Sequence, residues 1–216
     1  MRPIFGLAAV CVGAILTSNA MLSYLPLYLN LTGIVIAIFL ITKFAGNDFN
    51  FQSVSTVVAG ALVLELLVLT TFSQLLEPSF SNFHANSVHF GAHLLFDFLV
   101  LYFIQNRRSI MLKVYSNDKS KHSEILKSSV IDSPLYGVFL LFCIIDLLSF
   151  IENIVRNMGK LGVAEEFAAK FWSWQFFYNN YELLKAVLLG LMFMTLFACA
   201  YIANKQSKRM EAQGAV

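Results

Sequence analysis

The chain has 216 residues, 58% hydrophobic and 13% charged, with a formal net charge of +2 and a mean hydropathy of +0.69. Soluble domains hold about 45–50% apolar and about 25% charged residues, and a soluble fold of this size has too little interior to hide such an excess. The net charge is too small to argue for nucleic acid, the basic residues sit between apolar runs, and no nucleic-acid partner is expected. What remains is a chain whose first partner is the lipid bilayer.

Residues 4–16 form the first apolar run. It reads either as a short span, joined through residues 17–24 to the next run in a tight hairpin, or as a cleaved signal peptide. In the second reading Arg2 is the basic start and Ser18-Asn19-Ala20 the cleavage site. Ala9 and Gly13, four residues apart, suit close helix packing and favour the uncleaved span. Residues 25–41, 54–76, 88–104, 135–155 and 186–203 follow as apolar runs of span length. The last can start several residues earlier. Gly46-Asn47-Asp48 breaks the chain after the second run and Glu77-Pro78 after the third. Ser133-Pro134 predicts an N-cap and a proline at the first helical position of the fifth. The fold expected is all-α: a multi-pass transmembrane helical bundle of six spans, or five after cleavage, forming one integral membrane domain over residues 1–216.

Lys and Arg orient the bundle. Arg2, Lys43, the basic residues of a loop over 107–133 and those of a tail over 205–216 fall on one side, and only Arg156, Lys160 and Lys170 on the other. By the positive-inside rule the loop, the tail and both termini are cytoplasmic, as in a bacterial inner (plasma) membrane protein. Residues 107–115 mix basic and apolar side chains and predict a short interfacial helix on an anionic leaflet. Trp172, Trp174, Tyr178 and Tyr181 predict an aromatic belt at the outer interface.

Ionisable groups inside a bilayer are costly and mark pathways or helix contacts. Glu65, Asp97 and Asp146 sit near the centres of their runs, and Glu182 and Lys185 lie one turn apart on the last. These five are the candidates for binding a proton or cation. In a purely structural role the acids hydrogen-bond between helices, with Ser149 or Thr70 as partners, and Lys185 pairs with Glu182. His89, His93 and Asp97, at i, i+4 and i+8, line one helical face. With Glu65 or Asp146 from a neighbour they suit zinc or iron. Ser149, Glu152, Asn153, Asn179 and Asn180 add polar groups to the outer halves of the last two runs, which predicts a water-filled cavity open to the outside.

Cys11, Cys143 and Cys199 lie in apolar runs without metal or redox spacing and read as small packing residues. No phosphate-binding glycine loop, nucleophile elbow or cofactor fingerprint occurs, so no catalytic residue is named and no cofactor expected. Three roles fit: a membrane partner, anchor or assembly protein, working with other membrane proteins or with itself; a small proton- or cation-linked transporter or channel subunit; an intramembrane metal enzyme. The orientation is directly checkable. A reporter active only outside the membrane should be silent when fused after Val216 and active when inserted in residues 77–87; the opposite pattern inverts the topology.

Overall fold

The computed structural model describes residues 27–46, 48–75, 80–212 and 214. The first apolar run, its cleavage site and the Glu77-Pro78 break lie outside them. Among the described residues every regular element is helical: α1 (Leu27–Phe44), α2 (Phe49–Leu75), α3 (Asn82–Val114), α4 (Lys119–Leu126), α5 (Asp132–Arg156), α6 (Glu165–Ala168) and α7 (Phe176–Ala212). Tight 3-10 turns, Met158–Leu161 and Ala169–Phe171, flank the single-turn α6. Three segments, Asn82–Val114, Asp132–Arg156 and Glu165–Arg209, are long and apolar enough to cross a membrane. Val35–Phe44 and Phe49–Glu65 are shorter apolar helical stretches.

The distribution of side chains on these helices inverts the soluble pattern. On α3, Leu95, Phe98 and Leu99 are half exposed while Asp97, between them, is 5% exposed. On α5, Ile144, Leu147 and Leu148 face out while Asp146 is 0% exposed. Water around the protein would favour the reverse; hydrocarbon favours this one.

The helices pack in a closed ring. α1 touches α2, α2 touches α3, α3 lies along α5, α5 along α7, and α7 returns to α1. The α3–α5 and α5–α7 seams are the most extensive. Val100, Leu101, Leu135, Phe139, Met192 and Leu196 fill the middle. The closing seam is marked by the stacked rings of Phe44 and Phe197, 5.6 Å apart, and by the Asn204 amide, which donates to the Phe44 carbonyl at 2.5 Å.

Local signals explain most of the breaks. Gly46, at φ +80°, ends α1 in a conformation that side chains resist. Asp48 then caps α2 by accepting from the Phe51 amide at 3.0 Å. Asp118 caps α4, and the Ser120 hydroxyl at 2.5 Å helps hold its carboxyl below the ordinary aspartate range. Two expectations change. α5 begins at Asp132, not after an N-cap at Ser133; Pro134 still falls inside the first turn, where a missing N–H costs nothing. Residues 107–114 are no separate interfacial helix but the continuation of α3. Nothing there breaks the helix, and Arg107 anchors it.

Arg107 is 1% exposed. Its guanidinium donates to both carboxylate oxygens of Asp132, at 2.9 and 2.8 Å, and to the Asn50 side-chain oxygen. The Asn50 amide in turn donates to the carbonyls of Glu124, at 2.8 Å, and Lys127, at 3.4 Å. One planar fork therefore gathers the starts of α2 and α5, the inner face of α3 and the end of α4. Here the 107–133 segment is folded against the ring, with Ile125 and Ile131 wholly buried. We call this the basic end.

At the opposite, aromatic end, Glu152 of α5 accepts from the backbone N–H groups of Phe177 and Tyr178, at 3.0 and 2.8 Å. A carboxylate at the N-terminus of α7 satisfies orphan donors and complements the helix dipole. Asn153 donates to the Phe83 carbonyl and the Ser87 hydroxyl of α3. Between α5 and α7 the chain folds back through Gly162, at φ +88°. Leu161, Phe167, Trp172 and Trp174 stand exposed there among Lys160, Glu165, Glu166 and Lys170. That mixture suits a membrane–water boundary. Trp172 and Trp174 are the chain's two tryptophans, so its tryptophan fluorescence, excited selectively, reports on this segment alone. Lipids brominated near the headgroup should quench it more than lipids brominated near the chain end, and aqueous iodide should quench little. Strong iodide quenching would place the segment in water.

Candidate functional site

Midway along the ring, four helices turn charged groups inward. α3 supplies His93 and Asp97, one turn apart on one face. α7 supplies Tyr181 and Lys185, again one turn apart. α5 supplies Asp146 and α2 supplies Glu65. The seams that α3 and α5 make with their neighbours bring these faces together.

Lys185 is the centre. Its ammonium donates to Asp97 Oδ2 at 2.8 Å and to both Asp146 oxygens at 3.1 Å. The Tyr181 hydroxyl donates to Asp146 Oδ1 at 2.8 Å. The Phe142 ring lies 4.7 Å from the ammonium and adds a cation–π contact. On the other side of Tyr181, His93 Nδ1 hydrogen-bonds Glu65 Oε1. The Tyr181 ring is tilted against the His93 ring, centroids 5.8 Å apart, and meets Phe90 edge-on at 4.8 Å. Glu65 also acts electrostatically on Asp97, Tyr181 and Lys185. Asp97, Asp146, Tyr181 and Lys185 form one hydrogen-bonded network, and the Glu65–His93 pair adjoins it at the Tyr181 ring.

Of the candidates from the sequence, Glu65, Asp97, Asp146 and Lys185 gather here, with His93. Glu182 does not: it is exposed. The pairing of Lys185 with Glu182 gives way to contacts with two other helices, because the ammonium faces the ring while Glu182 faces away. Ser149 does not serve the acids either; its hydroxyl donates to the Ile145 carbonyl of its own helix. His89 packs edge-on against Phe72, centroids 5.4 Å apart. Thus of His89, His93 and Asp97, collinear on α3, the two histidines meet α2 and the aspartate meets Lys185 of α7. Among the described residues no three His, Cys, Asp or Glu side chains are placed to hold a metal ion.

The expected outer vestibule is also changed. Glu152 and Asn153, which were to line it, are spent on helix contacts. Two cavities, of about 560 and 340 Å3, lie at the basic and aromatic ends, and neither is walled by the central network.

Tyr181 was missed as a site residue because it sits among the interfacial aromatics; its i, i+4 spacing from Lys185 was the available signal. Asn50, Arg107 and Asp132 gave none, since Arg107 looks like ordinary positive flanking.

Chemically, the arrangement holds two carboxylates on one ammonium. With all three charged, the group carries one net negative charge. Removing one member is therefore costlier than removing all. Lys185→Met strands two buried carboxylates and should destabilise the protein by about 3–5 kcal/mol. The triple replacement Asp97→Asn, Asp146→Asn, Lys185→Met should recover most of that loss. Unfolding in mild detergent measures both; equal losses would show that the groups do not act as a unit.

No protein-family model matches the chain, and no curated protein or solved structure is similar enough to it to carry an assignment; a role has to be read from this network and its surroundings.

Proposed function

We propose that this chain is a six-span membrane protein of the plasma membrane, with both termini cytoplasmic, that serves as a membrane partner, anchor or assembly protein. In this reading its buried charges fasten its own helices. The observation that carries it is the sharing of one Lys185 ammonium between Asp97 of α3 and Asp146 of α5. Every mid-helix acid has a partner on another helix: Glu65 has His93, Asp97 has Lys185, and Asp146 has Lys185 and Tyr181. Polar groups spent in this way act as fasteners between helices.

A second reading is favoured by one feature, the uncompensated negative charge. A site that needs one proton or cation for balance is also a site that can carry one, which supports a proton- or cation-linked transporter or channel subunit.

One experiment separates the two. The purified protein is reconstituted in liposomes with an internal pH dye, and proton movement is followed across a pH series for wild type and Asp97→Asn. Asparagine keeps the shape of the acid but cannot titrate. The fastening reading expects no movement beyond that of protein-free vesicles. Wild-type flux lost in Asp97→Asn, with thermal stability retained, would replace that reading with transport.

A further inference from the structure

The cavity of about 560 Å3 at the basic end opens between α3 and the first turn of α5. That volume is in the range of small-ligand sites, about 300–1,000 Å3. Its charged walls are Arg107, Arg108 and Asp132. Arg107 and Asp132 neutralise each other through their two-pronged contact. Arg108 is exposed and has no ion-pair partner among the described residues. Gln105, Asn106, Ser109, Ser133 and Tyr136 complete the polar wall; the Asn106 amide already gives one hydrogen to the Tyr102 carbonyl at 3.0 Å, and the other four can each donate a hydrogen bond. One free positive charge ringed by donors is the complement of a phosphate.

The same helix faces become apolar on leaving the cavity. On α3, Phe98, Tyr102, Asn106 and Ser109 recur at helical spacing, and on α5 so do Tyr136, Leu140 and Ile144. Phe98 and Tyr102 are 55% and 52% exposed, and Leu140 and Ile144 are 40% and 42% exposed. A molecule filling this site meets hydrogen-bond donors at one end and hydrocarbon-like surface at the other.

We propose that the cavity holds the headgroup phosphate of an anionic phospholipid whose acyl chain runs along the exposed faces of α3 and α5. A phosphate free in solution would satisfy only the polar end; the apolar stripes select the lipid. The site depends on α3 and α5 lying in a membrane, not on which reading of the central network holds.

The test uses the full chain, freed of lipid in mild detergent. Phosphatidylglycerol and phosphatidylcholine with the same acyl chains are titrated in turn, and bound lipid is counted by native mass spectrometry. Wild type should prefer phosphatidylglycerol. Arg108→Gln should reduce that preference roughly fivefold, the order expected for one basic residue at an anionic surface. Lys205→Gln removes the same charge from an exposed position elsewhere on the chain and should leave the preference intact. Millimolar inorganic phosphate should not displace the lipid. A preference missing from wild type, or unchanged in Arg108→Gln, overturns the site. Equal loss in Lys205→Gln reduces it to general surface charge. Displacement by inorganic phosphate makes the ligand a free anion and overturns the lipid assignment.

Discussion

Taking a lysine and two aspartates out of water costs several kcal/mol for each ion, and close contact between them is what recovers it. That requirement sets the rotation of three helices. α3 must turn Asp97 inward, α5 must turn Asp146 inward, and α7 must bring Lys185 to a point within 2.8 Å of the first and 3.1 Å of the second. Once those rotations are set, the rest follows. The turn before Lys185 delivers Tyr181 to Asp146, and the turn before Asp97 delivers His93 to Glu65. The opposite faces of the same helices, rich in Leu, Ile and Phe, are left to meet lipid. Hydrophobic burial cannot specify these rotations alone, because hydrocarbon solvates an outward leucine as well as an inward one.

The two ends of the ring are held by different devices. At the basic end a buried guanidinium collects four segments through directional hydrogen bonds. At the aromatic end a single carboxylate, Glu152, meets the exposed backbone donors of α7. Neither is a contact between neighbours in sequence. Each ties a helix terminus, where backbone groups lack partners, to a side chain from another helix. The middle of the ring is thus braced from both sides, while a cavity of about 560 Å3 lies beyond the brace at the basic end.

Much of this was legible in the sequence, and the boundary has a physical cause. Composition and run length identify a lipid-embedded helical chain, since both depend on local content. The central acids stand out because a charge in an apolar run is conspicuous whatever surrounds it. The i, i+4 spacing of His93 and Asp97 correctly places them on one face. Partners are another matter. Lys185 sits three residues from Glu182, which suggests a local pair, yet helix rotation sends the two in different directions. Arg107 looks like one basic flank among several, and only the approach of Asn50 and Asp132 makes it a structural centre. Ser133-Pro134 does mark a helix start, but the helix begins one residue earlier, at Asp132, whose carboxylate meets Arg107. Periodicity reports which residues share a face; it does not report what the face meets.

The distance in sequence between the ionic partners bears on how the chain is made. Lys185 lies 88 residues after Asp97 and 39 after Asp146. At about 5–20 residues per second, the ribosome supplies the lysine roughly 4 to 18 seconds after the first aspartate. From the completion of α3 at Val114 until Lys185 is made, its counter-charge does not yet exist. Asp97 must meanwhile be accommodated by water, by headgroups, by the insertion machinery or by a proton. Only when α7 arrives can Asp97 and Asp146 exchange those interim surroundings for the Lys185 ammonium.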